Sequence, residues 1–320
     1  MEFEKSLQVG NIKYVEKKLD KIFNKKQYSN SNFLDTLIAN KITWHCGGMS
    51  DPFQPSEERF NITKKLVDVT NQYNISILFS TKGFQTYSAN LNPAIHTFQL
   101  SITNVDNRKD IECNVADIKT RYKFYKSLKD KGFRVGIRVQ PFIPNVTDVR
   151  IVEMFKDADY FTIEGLKLVP QNKEHKDYLL ELLNLKPDNF TQMGLLNLKP
   201  EIRQKLYVPF INLLEKYKIP YSIADNDMHH LSSGNCCCGD ILISKSTNFN
   251  TTYMARNYGN KYTKDDLKKE IDNSGCGNCK ANNLFTSNRQ EGLKTVEDFL
   301  IKRFDRKSSP FSPLFLTCNK

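Results

Sequence analysis

Two groups of residues in this chain have types and spacing suited to chemistry. The first is scattered along the N-terminal two thirds, where apolar runs give way to small, polar or charged residues. It comprises Cys46-Gly47-Gly48, Thr81-Lys82, Ser101, Arg138 with Gln140, Glu164, and Asp225-Asn226-Asp227. Paired glycines let backbone N–H groups approach a ligand closely. An arginine in an otherwise apolar run is costly unless it meets an anion. Each of these is, taken singly, also ordinary turn chemistry or a satisfied polar group; together they predict a binding crevice. The second group is a tail of cysteines, Cys236, Cys237 and Cys238 in a row and Cys276 with Cys279 in a C-x-x-C, preceded by His229 and His230. Three or four thiolates there could hold Zn²⁺ tetrahedrally or an auxiliary iron–sulfur cluster. Not every member of a consecutive run can ligate one ion, and buried or redox-paired thiols are the alternative. Cys113 and Cys318 have no such company.

The elements that must position the first group alternate. Residues 11–24 carry Ile12, Val15, Leu19, Ile22 and Phe23 at helical spacing. Lys41–His45 reads as a short strand, followed by a helix with Ser56 as N-cap and Glu57 and Glu58 in its first turn, running to Tyr73. Further strands are expected at Ile75–Phe79, Thr97–Ile102, Phe133–Val139, Tyr160–Ile163 and Tyr221–Ala224, with helices over Ile118–Lys131, Val149–Lys156 and Glu201–Tyr217. Residues 166–200 show no clear period. This alternation implies βαβ crossovers and a parallel sheet, an α/β fold whose function gathers at the carboxyl ends of the strands. The candidate residues sit at those ends. After Asp225 the composition turns to Gly, Asn, Ser and Cys, so the chain divides into 1–225 and a small Cys-rich region, 226–320, closed by a helix around Lys294–Phe304.

Trp44-His45-Cys46-Gly47-Gly48-Met49-Ser50-Asp51-Pro52-Phe53-Gln54-Pro55-Ser56-Glu57 resembles the Gly-x-x-Thr/Ser-Asp-Pro-Tyr/Phe-Gln-Pro-x-Glu stretch of spore photoproduct lyase-like radical S-adenosylmethionine (SAM) proteins. In register with it, Ser80-Thr81-Lys82, Gln99–Thr103, Ile111-Glu112 through Arg121, and Gln140–Asn145 resemble later strand-end and helix-opening segments of the same family. The resemblance covers roughly 40–165 well and fades towards 240. It implies a partial (β/α) barrel. By the same resemblance, Gly47, Gly48, Met49 and Ser50, ahead of Asp51, receive the methionyl amino group of SAM. Ser101 faces the ribose or carboxylate and Arg138 the carboxylate; Lys82 and Glu164 complete the cofactor set. The family's activity is hydrogen abstraction by a 5′-deoxyadenosyl radical made with a [4Fe–4S] cluster. The family's cluster-holding Cys-x-x-x-Cys-x-x-Cys follows its first barrel strand, and no cysteine of this chain precedes Cys46. The resemblance therefore implies a barrel lacking its first strand. The cluster segment is then on another polypeptide, in an interrupted gene, or lost together with the chemistry. Cys46 is the candidate hydrogen donor, displaced by two residues from the family's cysteine; a buried core thiol is the other reading.

Composition bounds the partners. The chain has 320 residues, with 47 Lys+Arg against 36 Asp+Glu, a net charge of +11. Such a field attracts polyanions, nucleic acid foremost. The basic runs at Lys13–Lys26, Lys261–Lys269 and Lys302–Lys307 fit that role and fit solvated helix faces equally. Clustered cysteines, no apolar run of the roughly 18 residues that span a bilayer, and an N-terminus without an apolar signal core point to a cytoplasmic protein without membrane contact. The reading is of a radical SAM enzyme component acting on a macromolecule, plausibly nucleic acid. Its rival is a relic barrel kept as a zinc-containing nucleic-acid-binding module.

Overall fold

The computed structural model describes residues 10–29, 32–48, 50–191, 196–225, 227–228, 231–233, 239, 242, 263–274, 277–278 and 294–305. Met49, Asn226, His229, His230, Cys236, Cys237, Cys238, Cys276 and Cys279 lie outside them.

Six strands form one parallel sheet: β1 (Trp44–Cys46), β2 (Ile77–Thr81), β3 (His96–Ser101), β4 (Arg134–Phe142), β5 (Tyr160–Gly165) and, at the far edge, β9 (Tyr221–Ile223). The strand order follows the chain, each neighbour being the next in sequence within this sheet, as a winding (β/α) half-barrel requires. Four of the five crossovers carry helices, α3 (Glu57–Phe60) with α4 (Ile62–Gln72), then α5 (Ile118–Asp130), α6 (Arg150–Met154) and α8 (Pro200–Lys216), while the β2–β3 connection carries none. Upstream, α1 (Ile12–Leu19) runs into a π-helical turn, and α2 (Phe33–Ala39) precedes β1.

Side chains alternate across each strand. On one face Phe79, Phe98, Leu100, Val135, Ile137, Val139, Phe161, Ile163 and Ile223 make the main core with Val67 of α4, Tyr125 and Leu128 of α5, and Tyr207, Phe210 and Leu214 of α8. Phe98 lies at its centre, 5.5 Å from Phe79 and edge-on to Phe133 at 5.3 Å. Truncating so buried an aromatic costs about 3–5 kcal/mol. The opposite, inner face carries His45, Ser80, Thr97, Gln99, Ser101, Arg138, Thr162 and Ser222, placed there by the strand register.

Three expectations need correction. The helix expected from Ser56 to Tyr73 is two helices, because Asn61 takes a left-handed conformation (φ 52°), and Ser56 makes no capping hydrogen bond. Glu57 caps instead: its carboxylate accepts from the N–H groups of Ile62 and Lys64, both at 3.0 Å, closing the start of α4. The described residues within 166–191 and 196–200 form regular structure of their own. Strands β6 (Lys167–Leu168), β7 (Phe190–Thr191) and β8 (Leu196–Leu198) form an antiparallel sheet in the order β6-β8-β7. With α7 (Lys173–Leu182) they enclose a second core of Leu168, Leu180, Leu183, Phe190 and Leu198, joined by Ile143 and Val146 beyond the end of β4. Nor does the chain leave the barrel at Asp225. Met228 enters the main core, and Ser232 and Ser233 accept from the N–H groups of Ile223 and Tyr221, each at 2.8 Å. Further on, α9 (Lys264–Ser274) and α10 (Val296–Asp305) are helical, the latter at the position expected for a closing helix.

His96 gives the fold a pH signature. It is fully buried, its Nδ1 accepts from the Asn92 N–H at 2.9 Å, and burial lowers its pKa from 6.5 to about 4. The unfolded chain therefore binds the extra proton first, and this part of the stability is lost as pH falls from 6.5 through about 4. The loss approaches about 3 kcal/mol. Urea unfolding between those limits should show it, and His96→Gln should flatten the acid limb.

Candidate functional site

The carboxyl ends of β1 to β5 and β9 form a rim, and the inner-face residues near it make a connected polar layer. His45 Nε2 hydrogen-bonds Ser80 Oγ at 2.7 Å, and Ser80 Oγ donates to Gln99 Oε1 at 3.1 Å. Gln99, fully buried, donates through Nε2 to Thr162 Oγ1 at 2.8 Å, and its Oε1 also accepts from Arg138 Nη1 at 3.3 Å. Arg138 Nε donates to Gln140 Oε1. The half-buried guanidinium is thus held by two neutral amides, and among the described residues it has no carboxylate partner. Its remaining N–H groups are those a ligand carboxylate would take, in the fork geometry of an arginine–carboxylate pair. Ser101 lies beside it in register.

The loop after β1 is braced from below. Asp51 accepts from Thr81 Oγ1 and the Lys82 N–H, both at 2.6 Å, and from the Phe53 N–H at 2.9 Å. With Glu57 of α3 accepting from the start of α4, this explains the acidic residues of the Ser-Asp-Pro segment: both carboxylates hold backbone. Gly47 has φ 119°, and a Cβ there would come within 2.1 Å of the Ser80 carbonyl oxygen. The chain turns so closely over β2 that only glycine fits. Gly48 and Ser50 are exposed on the same loop.

Further along the rim the charges pair. Glu112 accepts from Lys82 Nζ at 2.7 Å, from Asn104 Nδ2 at 3.2 Å and from Arg121 Nη2 at 3.3 Å, while Arg121 Nη1 donates to the Ser101 carbonyl at 3.1 Å. The two ends of the Glu112-to-Arg121 segment therefore meet each other. Glu164 is paired with Lys167. Asp225, at the end of β9, accepts from the Gly165 N–H at 2.9 Å and Tyr207 Oη at 2.7 Å, and pairs with Arg203 at 3.0 Å. Burial, then the facing Asp225 carboxylate, raises the Tyr207 pKa, so this hydroxyl stays protonated.

Cys46 falls on the other side. It follows His45 in β1, so its side chain lies on the helix-covered face and packs against the main core. Burial first, then the nearby carboxylates of Asp51 and Glu57, pushes its thiol up to about 11. The structure thus separates Cys46 from the crevice, and we give it a packing role in place of hydrogen donation. The brace of Asp51 and the amide seat of Arg138 were not read from the sequence; Gln99, a polar residue in the middle of an apolar strand, was the signal that could have shown the second.

Among the described residues, no group of three or more His, Cys, Asp and Glu side chains is placed to hold a metal ion. The described cysteines are Cys46 in the core and Cys113 on the surface. These residues do not fit an iron–sulfur cluster. They do fit a carboxylate-bearing ligand, through Arg138. No helix among the described residues is long and apolar enough to cross a membrane.

No protein-family model matches the chain, and no curated protein matches it. Among solved structures it is similar to a variant of spore photoproduct lyase, with 14% identity, 67% of this chain and 66% of that chain covered, and a TM-score of 0.47. It is similar also to a spore photoproduct lyase variant with bound AdoMet and dinucleoside spore photoproduct (16% identity, 64% of this chain and 70% of that chain, TM-score 0.43). A third is SuiB of Streptococcus suis (12% identity, 68% of this chain and 44% of that chain, TM-score 0.43).

Replacing Gly47 tests the brace. Gly47→Ala must push the loop off the β2 carbonyl, and we expect a loss of about 2 kcal/mol or more in urea unfolding. Unchanged stability would mean that the loop does not seat as described.

Proposed function

We propose that this chain is the SAM-binding body of a radical SAM enzyme, working on a nucleic-acid substrate. The observation that carries the reading is Arg138, a cation on the inner face of a parallel sheet, held by Gln99 and Gln140 and facing no carboxylate among the described residues. A charge so placed is stabilised by an anionic ligand group. The resemblance of the Ser-Asp-Pro segment, on the loop after β1, supports the methionyl carboxylate of SAM as that group.

When bound, SAM supplies the adenosyl and methionyl groups whose reductive cleavage is the family's chemistry. In this reading the described residues bind and orient. Arg138 takes the carboxylate, with Ser101 beside it. The Gly47, Gly48, Met49 and Ser50 loop receives the amino group, and Asp51 keeps that loop in place. Lys82 and Glu164 stand on the rim in ion pairs with Glu112 and Lys167. The rival is a zinc-containing nucleic-acid-binding module built on the same barrel. In either reading the cysteines 236–238, 276 and 279 are the candidate metal ligands.

Calorimetric titration of SAM into the full chain tests the first reading. Binding is expected, and Arg138→Gln should weaken it ~10- to 100-fold, the worth of one charge-assisted pair. No SAM binding by the unaltered chain sinks this reading. Iron, sulfide and zinc analysis of anaerobically purified protein separates the rivals: iron with matching sulfide supports the enzyme, zinc alone the module.

A further inference from the structure

The N-terminal helix carries a surface that the crevice does not use. Ile12, Val15 and Leu19 of α1, with Ile22 and Phe23 in the next turn, pack against Ile38, Val69 and Ile75. Away from that stripe Lys13, Lys17 and Lys21 recur every fourth residue, all exposed. Four helical residues rise about 6 Å, so the three ammonium groups form a ladder along one ridge. Neighbouring lysines are neutralised: Lys18 pairs with Asp35, and Lys25 with Asp20 at 2.9 Å. Lys13, Lys17 and Lys21 have no acidic partner among the described residues. Two tyrosines of this segment are exposed, Tyr14 on α1 at 62% and Tyr28 beyond the π-helical turn at 38%.

The arrangement discriminates between anionic partners. A membrane surface needs the apolar face of such a helix, and here that face is spent on the core. A duplex would use the lysines and leave the tyrosines idle. An unpaired strand uses both, phosphates along the lysines and bases on the rings.

We propose that α1 is a binding ridge for single-stranded nucleic acid, with Lys13, Lys17 and Lys21 on successive phosphates and Tyr14 stacking a base. The inference deepens the proposed function by naming the form of its macromolecular partner. The test is anisotropy titration of a labelled oligothymidylate with the full chain across a series of salt concentrations. Replacing Lys13, Lys17 and Lys21 together by Gln should make the slope of log K against log salt shallower by about 2, from roughly 0.7 per lost phosphate contact on a single strand. The same replacement of the exposed Lys119, Lys123 and Lys131, on and just after α5, changes net charge equally and should leave the slope unchanged. Tyr14→Ala should weaken binding by ~10-fold. Equal losses in both triple variants, or a wild-type slope in the ridge variant, overturns the proposal. SAM titration of the ridge variant keeps the two readings apart, since the ridge does not touch the Arg138 site.

Discussion

The two faces of the parallel sheet are the constraint on which the rest of this molecule depends. A period of two residues sends neighbouring side chains to opposite sides. In this chain the sides differ sharply: one is an aromatic core under four crossovers, the other a polar layer. The register of each strand is thereby fixed, because a slip of one residue would exchange Phe98 and Leu100 with Gln99 and Ser101. The same rule decides chemistry. His45 and Cys46 are adjacent, yet one enters the hydrogen-bonded layer and the other the core. A thiol beside two glycines is thus a packing residue, while the histidine before it belongs to the site.

Burying polar groups on the inner face is tolerable only if they satisfy one another. Gln99 does most of this, bridging Ser80, Thr162 and Arg138 from three different strands. Because it is neutral, it orients the guanidinium without cancelling the charge. The rim is treated differently. There Asp51, Glu112 and Asp225 each accept from two or more partners, and each ties the end of one strand to a loop, helix or neighbouring strand. Among the described residues, carboxylates tie the rim together, whereas Arg138 is held by two amides.

The sheet was legible in the sequence because its strands are short apolar runs separated by helical periods, and all six were placed within a few residues. The candidate residues were read at the strand ends for a related reason: function at a parallel sheet gathers where the strands stop. What escaped has local physical causes. The break at Asn61 depends on a left-handed residue capped by a carboxylate four positions back, which no apolar period records. Strands β6, β7 and β8 are two or three residues long, too short to show alternation, and owe their order to the second core. The face taken by Cys46 required the register, and the register required knowing which residues of β2 it pairs with.

The tail bears on where a ligand can go. Leu242 is buried against the inner face: a Cβ on Gly136 would lie 2.6 Å from its Cδ1, and its carbonyl accepts from Thr97 Oγ1 at 2.7 Å. Gly239 sits against Tyr160 in the same region. Thr97, Gly136 and Tyr160 belong to the amino-terminal halves of their strands, so the chain itself fills the lower part of the half-barrel. Beyond the end of β4 the small antiparallel sheet is joined through Ile143 and Val146. The cysteine run ends at Gly239, itself against Tyr160. Gly239, the residue after that run, is thus anchored on the same face of the sheet that carries Arg138.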